Sequence, residues 1–183
     1  MLHINKLKSI FFLVLFLGIN LLSAQESEWP PVLKIKIDKV LEKEYQSDNL
    51  TFEAVEISQS TEKNSVSKLS NNLFKVNSAG KFVGYIYASQ APSQDEVFDY
   101  LVVFNPKLEI AKAKVLIYRE QHGRQIGSVR WLNQFEGVTV EDNLSLGKNI
   151  DGISGATISA NSMTVAVSNL LSSIKLAKEN GDL

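Results

Sequence analysis

Apolar residues along the chain change period twice, and the changes mark out the elements. Val32–Tyr45 follows two prolines and carries both patterns. Leu33, Ile35 and Ile37 alternate as in a strand, whereas Leu33, Ile37, Val40 and Leu41 share one helical face. Proline before the run and its Lys/Glu-rich end favour a helix. A short alternation follows (Leu50, Phe52, Val55, Ile57), and then a polar stretch to Asn72 with no predicted element. From Leu73 the pattern turns to β. Leu73–Val76, the turn Asn77–Gly80 and Lys81–Ser89 form a predicted hairpin, with Gln90–Asp95 as a loop around Pro92. Val97–Phe104, a turn at Asn105–Lys107 and Glu109–Tyr118 form a second hairpin, rich in Val, Ile, Tyr and Phe.

Arg119–Gly127 is a polar loop, and Ser128–Phe135 is a predicted short helix closed by Gly137, with a strand-like piece near Val138. The last signal is the strongest. Ala156, Ala160, Met163, Val167, Leu170, Ile174 and Ala177 recur at alternating spacings of three and four, one face of a long helix. Asn161, Thr164, Ser168 and Ser172 fall on the opposite face, Lys175 and Lys178 suit the negative end of the dipole, and Gly181 is the expected stop. These elements predict a single α+β domain: a twisted, largely antiparallel sheet of hairpins packed by an N-terminal helix and a long C-terminal helix.

Ahead of the domain lies a different kind of segment. Lys6 and Lys8 precede the apolar run Ser9–Leu22, and Ser23-Ala24-Gln25 follows it. A positive start, a short apolar stretch and a small residue before polar sequence have the anatomy of a secretory signal peptide. The uncharged run from Ser9 to Gln25 is 17 residues, interrupted by Asn20, at the lower edge of a bilayer span. Cleavage after Ala24 is therefore preferred over a retained anchor. The expected organisation is a signal peptide or anchor at 1–24, a linker at 25–31 and the folded domain at 32–183. Either way the domain is expected outside the cytoplasm, in the periplasm or on the outer face of the membrane.

Composition narrows the chemistry. The 183 residues are 44% hydrophobic and 21% charged, a globular balance. The net charge is −1, and without Lys6 and Lys8 it becomes −3, from 17 basic and 20 acidic residues. No basic excess exists to displace counterions from a nucleic acid, so none is expected as partner. Cysteine is absent and the histidines are His3 and His122 alone. Disulfides, thiolate metal sites and cysteine nucleophiles are excluded, and no metal is expected. What remains is a hydroxyl, a carboxylate or an organic cofactor.

Residues 150–162 read Ile-Asp-Gly-Ile-Ser-Gly-Ala-Thr-Ile-Ser-Ala-Asn-Ser and run into the helical stripe. The first turn of a helix offers unpaired N–H groups and partial positive charge, which favour phosphate. Gly152 and Gly155 permit close approach, Ser154 and Ala156 are small, and the Thr157 hydroxyl could contact or be esterified by a phosphate. On spacing alone the alternative is an ordinary helix cap by Ser154 or Thr157.

The segment Asp151-Gly152-Ile153-Ser154-Gly155-Ala156-Thr157 resembles the flavinylation motif of the FMN-binding domain family, which includes FMN-carrying subunits of the sodium-pumping NADH:quinone reductase and of the Rnf complex. The resemblance implies FMN joined through its phosphate to the hydroxyl of Thr157 by a flavin transferase that uses FAD. It makes Asp151, Ser154, Gly155 and Ala156 the recognition residues, with Gly152 inside the motif. Trp131-Leu132-Asn133-Gln134-Phe135-Glu136-Gly137 is similar to the aromatic-Gln-Phe helix that the family places before the motif. Glu120-Gln121-His122-Gly123 stands where the family has a Glu-Thr-Pro-Gly-Leu-Gly loop; Gln121-His122 replace Thr-Pro, and Leu-Gly is lost. Glu120 is the cofactor-loop acid that the resemblance implies. An N-terminal membrane segment, usually a retained anchor, also fits.

The resemblance implies an exported flavoprotein acting as an electron carrier or redox subunit, with a membrane-associated redox protein as partner. A small periplasmic flavin reductase and a non-redox exported binding module are the alternatives. Several residues have plainer readings that are preferred: His122 as a solvated loop residue, Trp131 and Phe135 as core, Tyr85, Tyr87 and Tyr118 as sheet packing, and the lysines of the first helix as a solvated face. Val97, Phe98, Tyr100 and Leu101 form an apolar cluster that could cover a cofactor.

Overall fold

A computed structural model describes residues 29–183. The predicted signal peptide or anchor at 1–24, and residues 25–28 of the linker, lie outside the described residues. Helix α1 spans Pro31–Tyr45. Proline at its first position has φ already set for a helix and lacks an N–H that would go unpaired there. The helical reading of the ambiguous segment is correct: Ile37 and Leu41 are fully buried, while Ile35, which fits only the strand alternation, is exposed. Gln46 ends the helix in the left-handed conformation. Trp29 packs edge-on against Phe74 at 4.6 Å between ring centroids, so the chain is already anchored before α1 begins.

Five strands form one antiparallel meander in sequence order: β1 (Leu50–Ala54), β2 (Leu73–Ser78), β3 (Lys81–Pro92), β4 (Val97–Phe104) and β5 (Ile110–Ile117). Both predicted hairpins are present. Strand β3 runs three residues past its expected end and pairs Gln90, Ala91 and Pro92 with Asp99, Phe98 and Val97. Pro92 is tolerated because it is the last residue of the ladder, and buried Ala91 draws the strand onward. The polar stretch, expected to be irregular, holds a short helix, α2 (Gln59–Asn64). Tertiary bonds explain it: Asn180 donates to the buried Thr61 hydroxyl at 2.8 Å, and the Ser58 hydroxyl donates to Asp182 at 3.0 Å.

The sheet is buried on both faces, and β4 divides its side chains between them. Phe98, Tyr100, Val102 and Phe104 join one cluster; Leu101 and Val103 join the other, with Ile37 and Leu41 of α1. The apolar group Val97, Phe98, Tyr100 and Leu101 is thus split across two cores, with Val97 partly exposed, and forms no single cover. Helix α4 (Thr157–Glu179) seals the first face with every residue of the predicted stripe buried. Fully burying a side chain such as Leu170 or Ile174 stabilises the fold by about 1.5–3 kcal/mol each. Thr164, expected on the opposite face, is buried too; its hydroxyl donates to the Ala160 carbonyl at 2.8 Å and so needs no solvent. After α4, Gly181 at φ +80° closes the helix and the Asp182 amide bonds back to Ala177 at 2.9 Å.

Between β5 and α4 the chain makes two 3-10 turns (Arg124–Gly127 and Asn133–Phe135) around a short helix, α3 (Val129–Leu132). No helix among the described residues is long and apolar enough to cross a membrane.

Candidate functional site

The helix start is bare. Ala156 is the N-cap of α4 and has no side chain able to cap it, so neither Ser154 nor Thr157 acts as the ordinary cap that the spacing allowed. Among the described residues, the amides of Thr157, Ile158 and Ser159 have no backbone acceptor; the first helical bond runs from Ala160 to Ala156 at 2.9 Å. Thr157 is exposed, and its hydroxyl reaches only the Ile153 carbonyl at a long 3.5 Å. Gly155, at φ +77°, makes the turn that delivers Thr157 to the first helical position.

A cleft of about 250 Å³ opens beside this terminus. One wall is Gly155 to Ser159; the facing wall is Tyr118, Glu120, His122 and Gly123 from the loop after β5, with Gln94 and Asp95 from the β3–β4 loop. Gly123 sits where a side chain would be strained and crowded. Its φ is +77°, and a Cβ there would lie 2.6 Å from the Tyr118 hydroxyl and 3.4 Å from the Gly155 carbonyl. The loop therefore lies directly on the motif. The cleft is smaller than the roughly 300–1,000 Å³ of an enclosing ligand pocket, so it suits a ligand held at one edge with the rest outside.

Glu120 is in this wall, and its Oε1 is already engaged. It accepts from the Ser93 hydroxyl at 2.7 Å, the Asp95 amide at 2.7 Å and the Glu96 amide at 3.1 Å. The Ser93 hydroxyl, followed by the Asp95 amide, holds the carboxyl below the usual glutamate range. Its immediate work is thus to fix the β3–β4 loop at the cleft rim. His122 lies exposed on the same wall, consistent with its solvated reading.

Of the motif, the structure brings Gly155, Ala156 and Thr157 to the cleft together with Glu120. Asp151, Gly152 and Ser154 are exposed but stand outside the cleft lining. Their stretch of chain is held from behind. The Asp151 amide donates to Gln134 Oε1 at 2.8 Å, and the indole N–H of Trp131 donates to the Asp151 carbonyl at 2.6 Å. Trp131 and Phe135 are core, as preferred, and meet edge to face at 5.2 Å. The other side of α3 borders a second hollow of about 290 Å³ that carries four lysines and no motif residue.

Sequence reasoning missed the roles of three contributors. Gln134 was marked only as part of the aromatic-Gln-Phe segment, and its bond to the Asp151 amide was not foreseen. Tyr118, read as sheet packing, puts its hydroxyl 3.0 Å from that of Ser159 at the start of α4. Asp99, buried in β4, is paired with Arg119 at 2.6 Å and accepts from Gln90 at 2.8 Å, which pins the start of the cleft loop. Nothing local marks that pair, because Asp99 lies on β4 and Arg119 in the loop after β5, 20 residues apart.

Comparison with known families gives a match to the FMN-binding domain family over residues 18–172, a span that includes all five strands and the 151–157 motif. No curated protein matches the chain.

Proposed function

The chain belongs to the FMN-binding domain family, and from that premise we propose that it carries FMN esterified to Thr157 and serves as an electron carrier or redox subunit outside the cytoplasmic membrane. The observation that carries this reading is the exposed Thr157 hydroxyl at the first position of a 23-residue helix, at the edge of a cleft and beside amides that have no acceptor among the described residues.

The donor set fits the group. The N–H groups of Thr157, Ile158 and Ser159, with the positive end of the helix dipole behind them, would hold a phosphate esterified to Thr157 Oγ1. The missing side-chain cap leaves those donors for the ligand. When bound, FMN supplies one- and two-electron transfer, and the protein supplies position and electrostatics. Ile158 and Tyr118 offer apolar and aromatic surface at the cleft, and Glu120 holds the opposite rim in place.

Attachment balances as a transfer from FAD. Thr157 Oγ1 forms a bond to the phosphorus of the FMN half, the pyrophosphate bond breaks, AMP leaves and the hydroxyl proton is released. No electron is gained or lost. A flavin transferase is the maturation partner, and a membrane-associated redox protein the functional one. Covalent attachment suits an exported carrier, because a dissociable flavin would be lost outside the cytoplasm.

Co-expression with a flavin transferase is expected to give a band that fluoresces as flavin on a denaturing gel, and Thr157→Ala a dark band. A dark wild-type band, or a fluorescent Thr157→Ala band, overturns the reading.

A further inference from the structure

The motif loop is tethered at one residue. Among the described residues, the backbone of 151–155 bonds to the rest of the protein ahead of α4 only at Asp151: through its amide to Gln134 and through its carbonyl to Trp131. The remaining bonds lie within the loop and helix start, from the Ala156 amide and the Thr157 hydroxyl to the Ile153 carbonyl. Gln134 is itself fixed, since its Nε2 donates to the Trp131 carbonyl at 3.2 Å. Trp131 is buried and held edge-on by fully buried Phe135. Core packing thus sets Trp131, a hydrogen bond to its carbonyl sets Gln134, and the two side chains hold both polar groups of one exposed peptide segment.

We propose that Trp131 and Gln134 are positioning residues for flavin attachment, holding Asp151 so that its carboxylate and the following small residues present a fixed shape to the flavin transferase. This rests on the proposed esterification of Thr157. Holding both the N–H and the C=O of Asp151 leaves its side chain outward, in solvent. Downstream, Gly152 and Gly155 make the loop intrinsically loose, so without the clamp many shapes compete. A partner that reads one shape then meets it only for a fraction of the time, and its apparent affinity falls by that fraction.

The test uses purified transferase with FAD and the folded domain. Gln134→Met keeps length and apolar packing but loses the acceptor for the Asp151 amide; Gln134→Glu keeps an acceptor. Trp131→Phe keeps an aromatic ring and loses the indole donor. Wild type is expected to be labelled. Gln134→Met and Trp131→Phe should each lose roughly tenfold or more in kcat/KM for the domain, with Gln134→Glu closer to wild type than Gln134→Met. In parallel, the Asp151 amide should exchange with solvent about tenfold faster in Gln134→Met, at a melting temperature close to wild type. If one variant fails to fold, the other carries the same test.

Unlabelled wild type defeats the proposed esterification itself. Labelled wild type, together with variants labelled at the same kcat/KM despite a fast-exchanging Asp151 amide, overturns the positioning role alone.

Discussion

The hydroxyls of Tyr118 and Ser159 lie 3.0 Å apart and tie the end of β5 to the first turn of α4. Ser159 is almost fully buried, whereas Tyr118 is part of the cleft wall. This one bond joins the sheet to the helix terminus that bears Thr157, so it sets the width of the cleft as well as adding to stability.

Tyr118→Phe leaves the buried Ser159 hydroxyl without that partner and should cost about 1–2 kcal/mol in urea unfolding. Ser159→Ala should cost a similar amount, and the double variant less than the sum of the two. Additive costs would mean that the bond contributes nothing in solution.

Gly123→Ala should be worse than its size suggests. The added Cβ must adopt φ +77° and displace the Tyr118 hydroxyl, which it would meet at 2.6 Å. A loss of roughly 1–3 kcal/mol is expected from the backbone conformation. Circular dichroism melting checks it, and a variant as stable as wild type would show that Gly123 is not held in this left-handed conformation against Tyr118.

Glu120 should titrate below an ordinary glutamate, and the sign of its linkage follows. Its pKa is lower folded than unfolded, so its contribution to stability is present above the ordinary glutamate pKa and fades as pH falls through the lowered value. Ser93 lies 2.7 Å from the carboxylate and 2.8 Å from the Glu96 carbonyl, and its single proton favours the charged acceptor. Ser93→Ala should move the Glu120 midpoint upward in a carbon-detected NMR titration. An unmoved midpoint would contradict the account of the rim.

Arg119→Ala strands Asp99, whose side chain is only 5% exposed. Gln90 still donates to it, so the expected cost is on the order of 3 kcal/mol, read by denaturant unfolding at neutral pH. The loss should shrink when Asp99→Asn is added. An Arg119→Ala domain with wild-type stability would show that the pair is not formed.

Where burial follows a local period, the sequence was legible. The 3–4 spacing from Ala156 to Ala177 marked α4, and with it the placement of Thr157 at a helix start. The Val/Ile/Tyr runs marked both hairpins. Elements held by distant partners were not legible. Helix α2 has a local cap, the Ser58 hydroxyl accepting from the Thr61 amide, but it is also held by Asn180 and Asp182 from the other end of the chain. Thr164 looked solvent-facing because a polar side chain can satisfy itself on its own helix backbone. At the cleft, Glu120 and the motif threonine were marked by resemblance. Their neighbours Tyr118 and Gly123, and Gln134 behind the loop, owe their places to contacts between segments 17 to 41 residues apart.

Intact-mass spectrometry of the domain produced with a flavin transferase decides whether Thr157 carries the flavin. The wild-type mass should rise by one FMN less one water, and Thr157→Ala should keep the mass of the bare chain. An unmodified wild-type mass, or the same increase on Thr157→Ala, would contradict the esterification at Thr157.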